Sequence, residues 1–293
     1  MRVSVYLPLL LSLLLAVSTP LLSRRLAPRL AACVMTFSAG VTAAASTWGL
    51  VLLATTLLQH TAAAEEHGAQ PRPVPTVVAV AALVALTLAC SRALRTARLR
   101  LGTDAALRRI CRSCHPDGEL AVLTDAAPHA YAVPGRPGRI LVSTGLLRST
   151  NATDRRVVLA HERALLRQAH HLLRATTELA AALNPLLIPS RQAVAYLVER
   201  AADEAAADTV GSRTVAAAVL VKVALTSANA VDGIRMAFHQ HAVLDRVAAL
   251  HSPPVHSVRP LAVACLAVAL LTTGAAGDAT LAFGRIVAAA TGL

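Results

Sequence analysis

Charge is distributed unevenly along the chain. No charged residue falls between Arg2 and Arg24, between Arg29 and Glu65, between Arg72 and Arg92, or between Arg259 and Asp278. Each of these runs is apolar and long enough to cross the roughly 30 Å hydrocarbon layer as a helix. Pro8 and Pro20 in the first are compatible with a membrane helix, where neighbouring groups re-satisfy the backbone. The pattern therefore predicts four transmembrane helices with a long mixed segment between the third and the fourth. Within that segment, residues 130–143 hold two short β-prone runs on either side of a Pro/Gly turn, which is a hairpin signal. A helical stretch follows, beginning near Thr153–Asp154 with Thr153 as the expected cap. From Leu179 to Val198 the chain is apolar but broken by Asn184, Pro185, Pro189 and Arg191. That predicts a turn between two helices at the membrane surface, with a re-entrant hairpin as the alternative.

Composition agrees with a membrane protein. Apolar residues make up 55% of the 293 and aromatics only 2%, so the apolar content is nearly all Ala, Leu and Val. That mix suits membrane helices better than a large soluble core. The formal charge of +12 comes almost wholly from arginine, Lys222 being the only lysine. Nucleic acid is not an expected partner, because the basic residues are scattered and no aromatic platform accompanies them. The charges instead orient the helices. Arg24, Arg25 and Arg29 follow the first run, against Arg2 before it, the reverse of a cleaved signal peptide. Glu65, Glu66 and Arg72 make an acid-leaning loop, while Arg92, Arg95, Arg98 and Arg100 follow the third run. The positive-inside rule then puts the N-terminus outside and residues 94–258 in the cytoplasm. Three units are expected: 1–93 with three membrane helices, 94–258 as a cytoplasmic domain, and 259–293 as a fourth helix with a short tail. Cys33, Cys90 and Cys265 lie in the apolar runs and are expected to pack there; no disulfide framework is indicated.

The candidate chemistry lies in the second of these units, residues 94–258. The helix after the hairpin contains Val157-Val158-Leu159-Ala160-His161-Glu162-Arg163-Ala164-Leu165. A zinc-peptidase helix carries His-Glu, two spacers and a second His, because residues four apart share a face and both imidazoles can reach one ion. The Glu between them acts as base on metal-bound water. Here His161 and Glu162 stand in place, but position 165 is leucine. Glu199 and Asp203, in Glu199-Arg200-Ala201-Ala202-Asp203, are also four apart. In a zinc site a Glu can be the third ligand and an Asp can fix a ligand imidazole through its other nitrogen.

The strings AYAVPGRPGRILVSTGLL, VVLAHERA and VERAADEAAAD, in this order and spacing, resemble the bacterial membrane metallopeptidases of the BlaR/MecR antirepressor type (peptidase family fifty-six), with related patterns in the HtpX and CAAX-protease group. Asp245-Arg246-Val247-Ala248-Ala249-Leu250 is similar to that family's closing motif. The likeness covers roughly residues 95–255. It implies a mostly α integral protein of the bacterial inner membrane, with a gluzincin-like α+β peptidase domain between the third and fourth transmembrane helices. It also implies that His161 and Glu199 are zinc ligands, that Glu162 is the catalytic base and that Asp203 orients His161. The expected substrate is a peptide or protein, paired as an extended strand along the hairpin 130–143 and attacked by zinc-activated water. The antirepressor relatives add an extracellular sensor, for which this chain, ending shortly after its fourth helix, is expected to have no room.

Leu165 departs from the family pattern, since catalytic zinc sites normally keep three protein ligands plus water. His170 and His171 lie about 13–15 Å farther along one helix. They can serve only if the helix breaks, and are otherwise expected on an exposed or membrane-facing side. The spacing gives no support to His239, His241, His251 or His256 as a further ligand. Two functions follow: a zinc metalloendopeptidase, or a pseudopeptidase that keeps the fold as a membrane regulatory or binding protein. Cys111-Arg112-Ser113-Cys114-His115 matches a haem-attachment pattern, but it falls on the cytoplasmic side, so no haem is expected. Asn151-Ala152-Thr153 matches a glycosylation sequon, for which a cytoplasmic bacterial segment has no use.

Overall fold

A computed structural model describes residues 2–62, 75–114, 118–228, 243–253 and 259–291. All four apolar runs form helices: α1 (Arg2–Arg25), α2 (Pro28–Ala62), α3 (Thr76–Ser113) and α10 (Arg259–Thr291). Among the described residues, two helical stretches are long and apolar enough to cross a membrane, Pro28–Leu57 and Thr76–Ser113. They differ in setting. The apolar window of α2 is 56% buried and that of α3 only 17%. α2 sits at the centre of a bundle and touches α1, α3 and α10. α3 turns Val77, Val80, Leu83, Val84 and Leu88 outward as one exposed apolar face, the kind of surface that marks a membrane or partner contact. Cys33 and Cys90 are exposed on α2 and α3 and do not pack inside them, contrary to expectation.

Between α3 and α10 lies a small sheet followed by helices. β1 (Leu120–Leu123), β2 (Ala130–Val133) and β3 (Arg139–Ser143) are ordered β1-β3-β2. The predicted hairpin is β2 against β3, antiparallel, with Ala130 opposite Val142 and Val133 opposite Arg139. β1, which the pattern did not announce, runs parallel to β3. One face of the sheet packs Ala121, Val133 and Leu141 on Cys111 at the end of α3. The other packs Ile140 and Val142 on Leu146, with Val158, Leu159 and Leu166 alongside. α4 (Thr144–Ser149) follows β3 directly. Gly145 is obligatory at that junction, since a Cβ there would lie 2.1 Å from the Ala126 carbonyl oxygen.

Then come α5 (Ala152–Arg167), α6 (His170–Leu183), a 3₁₀ turn (Pro185–Leu187), α7 (Ile188–Val210), α8 (Arg213–Ala228) and α9 (243–251). α6 and α7 form a hairpin whose turn is the one predicted near Asn184–Pro189. It packs against α1 and α2: Ala180, Leu187, Val194, Leu197 and Val198 share one apolar cluster with Leu15, Leu26, Met35, Ala39 and Ala43. At the tip, the buried Asn184 amide donates to Ser12 Oγ at 2.8 Å and Ser46 Oγ at 3.1 Å. Those serines lie midway along α1 and α2. Gly40 faces Thr176, whose methyl would meet an added Cβ at 3.4 Å, so α2 and α6 lie close together there. Arg100 clamps α3 to α6 through both oxygens of Glu178, the bidentate geometry in which a guanidinium holds a carboxylate best.

Candidate active site

α5 and α7 pack against each other and carry the predicted residues between them. α5 starts two residues earlier than expected. Its cap is Asn151, whose side chain accepts from Asp154 N–H while Asp154 accepts from Asn151 N–H, a reciprocal capping box. Thr153 is inside the helix. Val157, Ala160 and Ala164 form a buried stripe of α5, while Glu162, on the opposite side of the helix, is buried against β2. α7 buries Val194, Leu197, Val198, Ala201 and Ala202 and ends at Gly211, whose φ of 72° is the left-handed conformation of a helix C-cap. The alanines on both helices let the backbones approach closely enough for short polar side chains to meet.

They do meet. His161 Nδ1 lies 3.0 Å from Asp203 Oδ1, and His161 Nε2 lies 3.4 Å from Glu199 Oε2. The predicted spacing of Glu199 and Asp203 thus places both carboxylates on one imidazole. Two further groups complete the cluster. Arg246, from α9, donates Nε and Nη2 to the two Asp203 oxygens, each at 2.7 Å. Its Nη1 lies 3.5 Å from Glu199 Oε2. Arg174, from α6, donates Nη1 to Glu199 Oε1 at 3.3 Å. The Asp245-Arg246 motif was legible in the sequence, but its arginine was given no role. Arg174 had no signal there at all.

Burial and charge act against each other on these groups. Burial pushes the His161 imidazole down, but the hydrogen bonds to Asp203 and Glu199 outweigh it and hold its pKa up at about 10. Burial pushes Glu199 up, but His161 and the guanidiniums of Arg246 and Arg174 hold it at about 2. Asp203 is likewise held low by Arg246 and His161 despite its burial. Glu162 goes the other way: burial raises its pKa, and the neighbouring Glu199 adds to that. The cluster sets His161, Arg174 and Arg246 against Glu199 and Asp203, with Glu162 beside them, and so neutralises the two low-pKa carboxylates with its own side chains.

Does this donor set fit a zinc ion? Two ligand atoms 2.0–2.2 Å from a tetrahedral ion sit about 3.3–3.5 Å apart, and His161 Nε2 and Glu199 Oε2 are so spaced. Asp203 stands behind the imidazole as an outer-shell carboxylate would. The third ligand is missing. Leu165 takes the position one turn after His161, and among the described residues no three His, Cys, Asp or Glu side chains converge to hold a metal. Guanidiniums face both oxygens of Glu199. As they stand, the residues do not fit a three-ligand zinc site.

His170 departs from expectation. α5 does not continue through it: the helix stops at Gln168, and Ala169 takes φ 51°, ψ 37°, a left-handed conformation rare outside glycine. α6 restarts at His170, which is 2% exposed and neither solvent- nor membrane-facing. Its Nε2 lies 3.0 Å from Gln168 Oε1, and its buried Nδ1 has no partner. Burial holds its imidazole neutral, at about 4, with Glu199 opposing and His161 adding to the shift. His171 is half-buried and His251 exposed. His239, His241, His256 and His115 lie outside the described residues. Cys111 and Cys114 pack on the sheet with Ala121 and Leu141.

β2 borders the site. His129 accepts from Ser143 N–H at 2.9 Å. In an antiparallel ladder residues alternate in direction, so Tyr131 and Val133 face β3, while Ala130 and Ala132 present their backbone groups to the open edge. The Ala132 N–H is close enough to Glu162 to favour its ionised form. The arrangement can accept an extended chain at the edge of β2, with Glu162 beside it.

Comparison with known proteins places this geometry. The model of peptidase family M48 matches residues 93–263, more than half of the chain. No curated protein and no solved structure matches. The expectation of a metallopeptidase family is met; the antirepressor-type likeness is a finer statement than the match makes. M48 peptidases are generally zinc-dependent. From the matched segment, which spans the end of α3, the sheet and both site helices, the chain belongs to peptidase family M48.

Proposed function

We propose that this M48 member is a pseudopeptidase: a membrane-bound protein that captures extended peptide segments along the open edge of β2 without hydrolysing them. The observation that carries this is the state of Glu199, whose oxygens face Arg174, Arg246 and the imidazolium of His161 while position 165 supplies a leucine. Family membership makes peptides the ligand class. Ala130 and Ala132 turn their backbone groups to the edge of the sheet, with the Ala132 N–H on Glu162, and such edges are the means by which sheets bind peptides. The outward apolar faces of α1, α3 and α10 and the arginines after Leu88 support four membrane helices, an external N-terminus and a cytoplasmic 94–258 segment in a bacterial inner membrane.

Metal analysis of the purified full chain tests this. The wild type is expected to carry well under one zinc per chain, and Leu165→His to approach one. Stoichiometric zinc in the wild type, lost on His161→Ala, sinks the proposal. A second function, a working zinc endopeptidase with His161, Glu199 and Glu162 in their family roles, is favoured by one observation: the helix break at Gln168–Ala169 that turns His170 inward with a free Nδ1. Under it, His170→Ala removes zinc from the wild type.

A further inference from the structure

A cleft of about 190 Å³ opens between the end of α3 and the turn that follows β2. Arg108, Arg112, Arg136 and Arg139 line it, with Cys111 and Val133 at its base. Arg108 and Arg112 are four apart on α3 and share a face with Cys111. Arg139 lies opposite Val133 on β3. No carboxylate lines the cleft among the described residues. Elsewhere this chain pairs such arginines: Arg100 with Glu178, Arg163 with Glu119, Arg213 with Glu204, Arg246 with Asp203. Among the described residues these four have no such partner. Arg139 Nε, too, has no hydrogen-bond acceptor among the described residues.

We infer that this cleft binds a phosphate group. Four guanidiniums around one space exceed what a single carboxylate neutralises. A phosphate monoester carries about −1.5 to −2 charge and three acceptor oxygens, and guanidinium forks match those oxygens in pairs. The volume holds about six waters at 30 Å³ each, enough for a phosphate with part of its shell. Arg108 and Arg112 lie about 24–30 Å along α3 from Arg92, too far from the end of the apolar run for a lipid headgroup at the bilayer surface. The cleft adjoins the end of β2, so a peptide paired there can present a phosphorylated side chain to it. That placement rests on the peptide-capture proposal; phosphate binding itself does not.

The experiment uses the full chain in detergent at constant ionic strength. Inorganic phosphate is titrated by ³¹P NMR, with chloride as control, against wild type, Arg139→Gln, Arg108→Gln/Arg112→Gln and the exposed Arg136→Gln. Saturable binding is expected, weakened tenfold or more in the first two variants and severalfold in Arg136→Gln, whose surface position leaves folding intact. In a second arm, matched phosphoserine and serine peptide libraries compete for the immobilised protein. A tenfold preference for phosphoserine that vanishes in Arg139→Gln, with serine-peptide capture unchanged, identifies the source as peptide-borne. Phosphate binding with no peptide captured supports the cleft, identifies free phosphate as its source and overturns peptide capture alone. No saturable phosphate response in the wild type, or an equal response in all variants, overturns the inference.

Discussion

Leu165 removes one ligand, but His161 decides what the site becomes. Held by two carboxylates, its imidazole keeps its proton far above the usual range. A folded-state pKa raised from 6.5 to about 10 contributes stability that is complete below pH 6.5 and is lost as pH rises through 10. Glu199, depressed to about 2, contributes stability present above about pH 4.5 and lost as pH falls toward 2. The stability gap between wild type and His161→Gln is therefore expected to be widest between these limits and to shrink toward pH 10. A gap that is flat with pH would show that His161 is neutral in the folded protein. His161, Glu162, Glu199 and Asp203 were all legible, because residue type and four-residue spacing are local properties. Arg174 and Arg246 were not given roles, because each comes from a separate helix and only packing brings it to Glu199.

At the scale of elements, the break between α5 and α6 matters most. Periodicity alone runs one helix from Thr153 past His171, and no Gly or Pro interrupts it. The break rests on Ala169, in a conformation that costs a non-glycine residue about 1 kcal/mol or more. Ala169→Gly is expected to raise thermal stability by about 1 kcal/mol and Ala169→Val to lower it by about 1–2. If both lower it alike, the break is held without strain. The hairpin was readable because its turn residues are local; β1 was not, since a four-residue strand pairing in parallel with β3 has no nearby signal. The cap moved from Thr153 to Asn151 because Asp154 can reciprocate only across three residues.

The whole molecule is joined at Asn184. The pattern predicted a turn there, and the apolar content of 179–198 was consistent with either a surface or a re-entrant position. The amide reaches Ser12 and Ser46 halfway along α1 and α2, so the α6–α7 tip shares their interior. Asn184→Leu keeps the volume but loses both bonds and the cap on Leu186 N–H, and is expected to cost about 2–3 kcal/mol. A loss below about 0.5 kcal/mol in detergent unfolding would mean that the apolar cluster alone seats the tip. That tertiary bond could not be read in advance, because its partners lie 172 and 138 residues away.

The same pin makes α7 a lever. Its fulcrum sits among α1 and α2, and Glu199 rides about 16 Å down the shaft from Ile188. A tilt of about 4° at the fulcrum sweeps Glu199 by about 1 Å, a displacement comparable to those that disable catalytic groups and enough to open its 3.4 Å contact with His161. Strain applied to the first two helices is thus delivered, without any intermediary, to the carboxylate that closes the site.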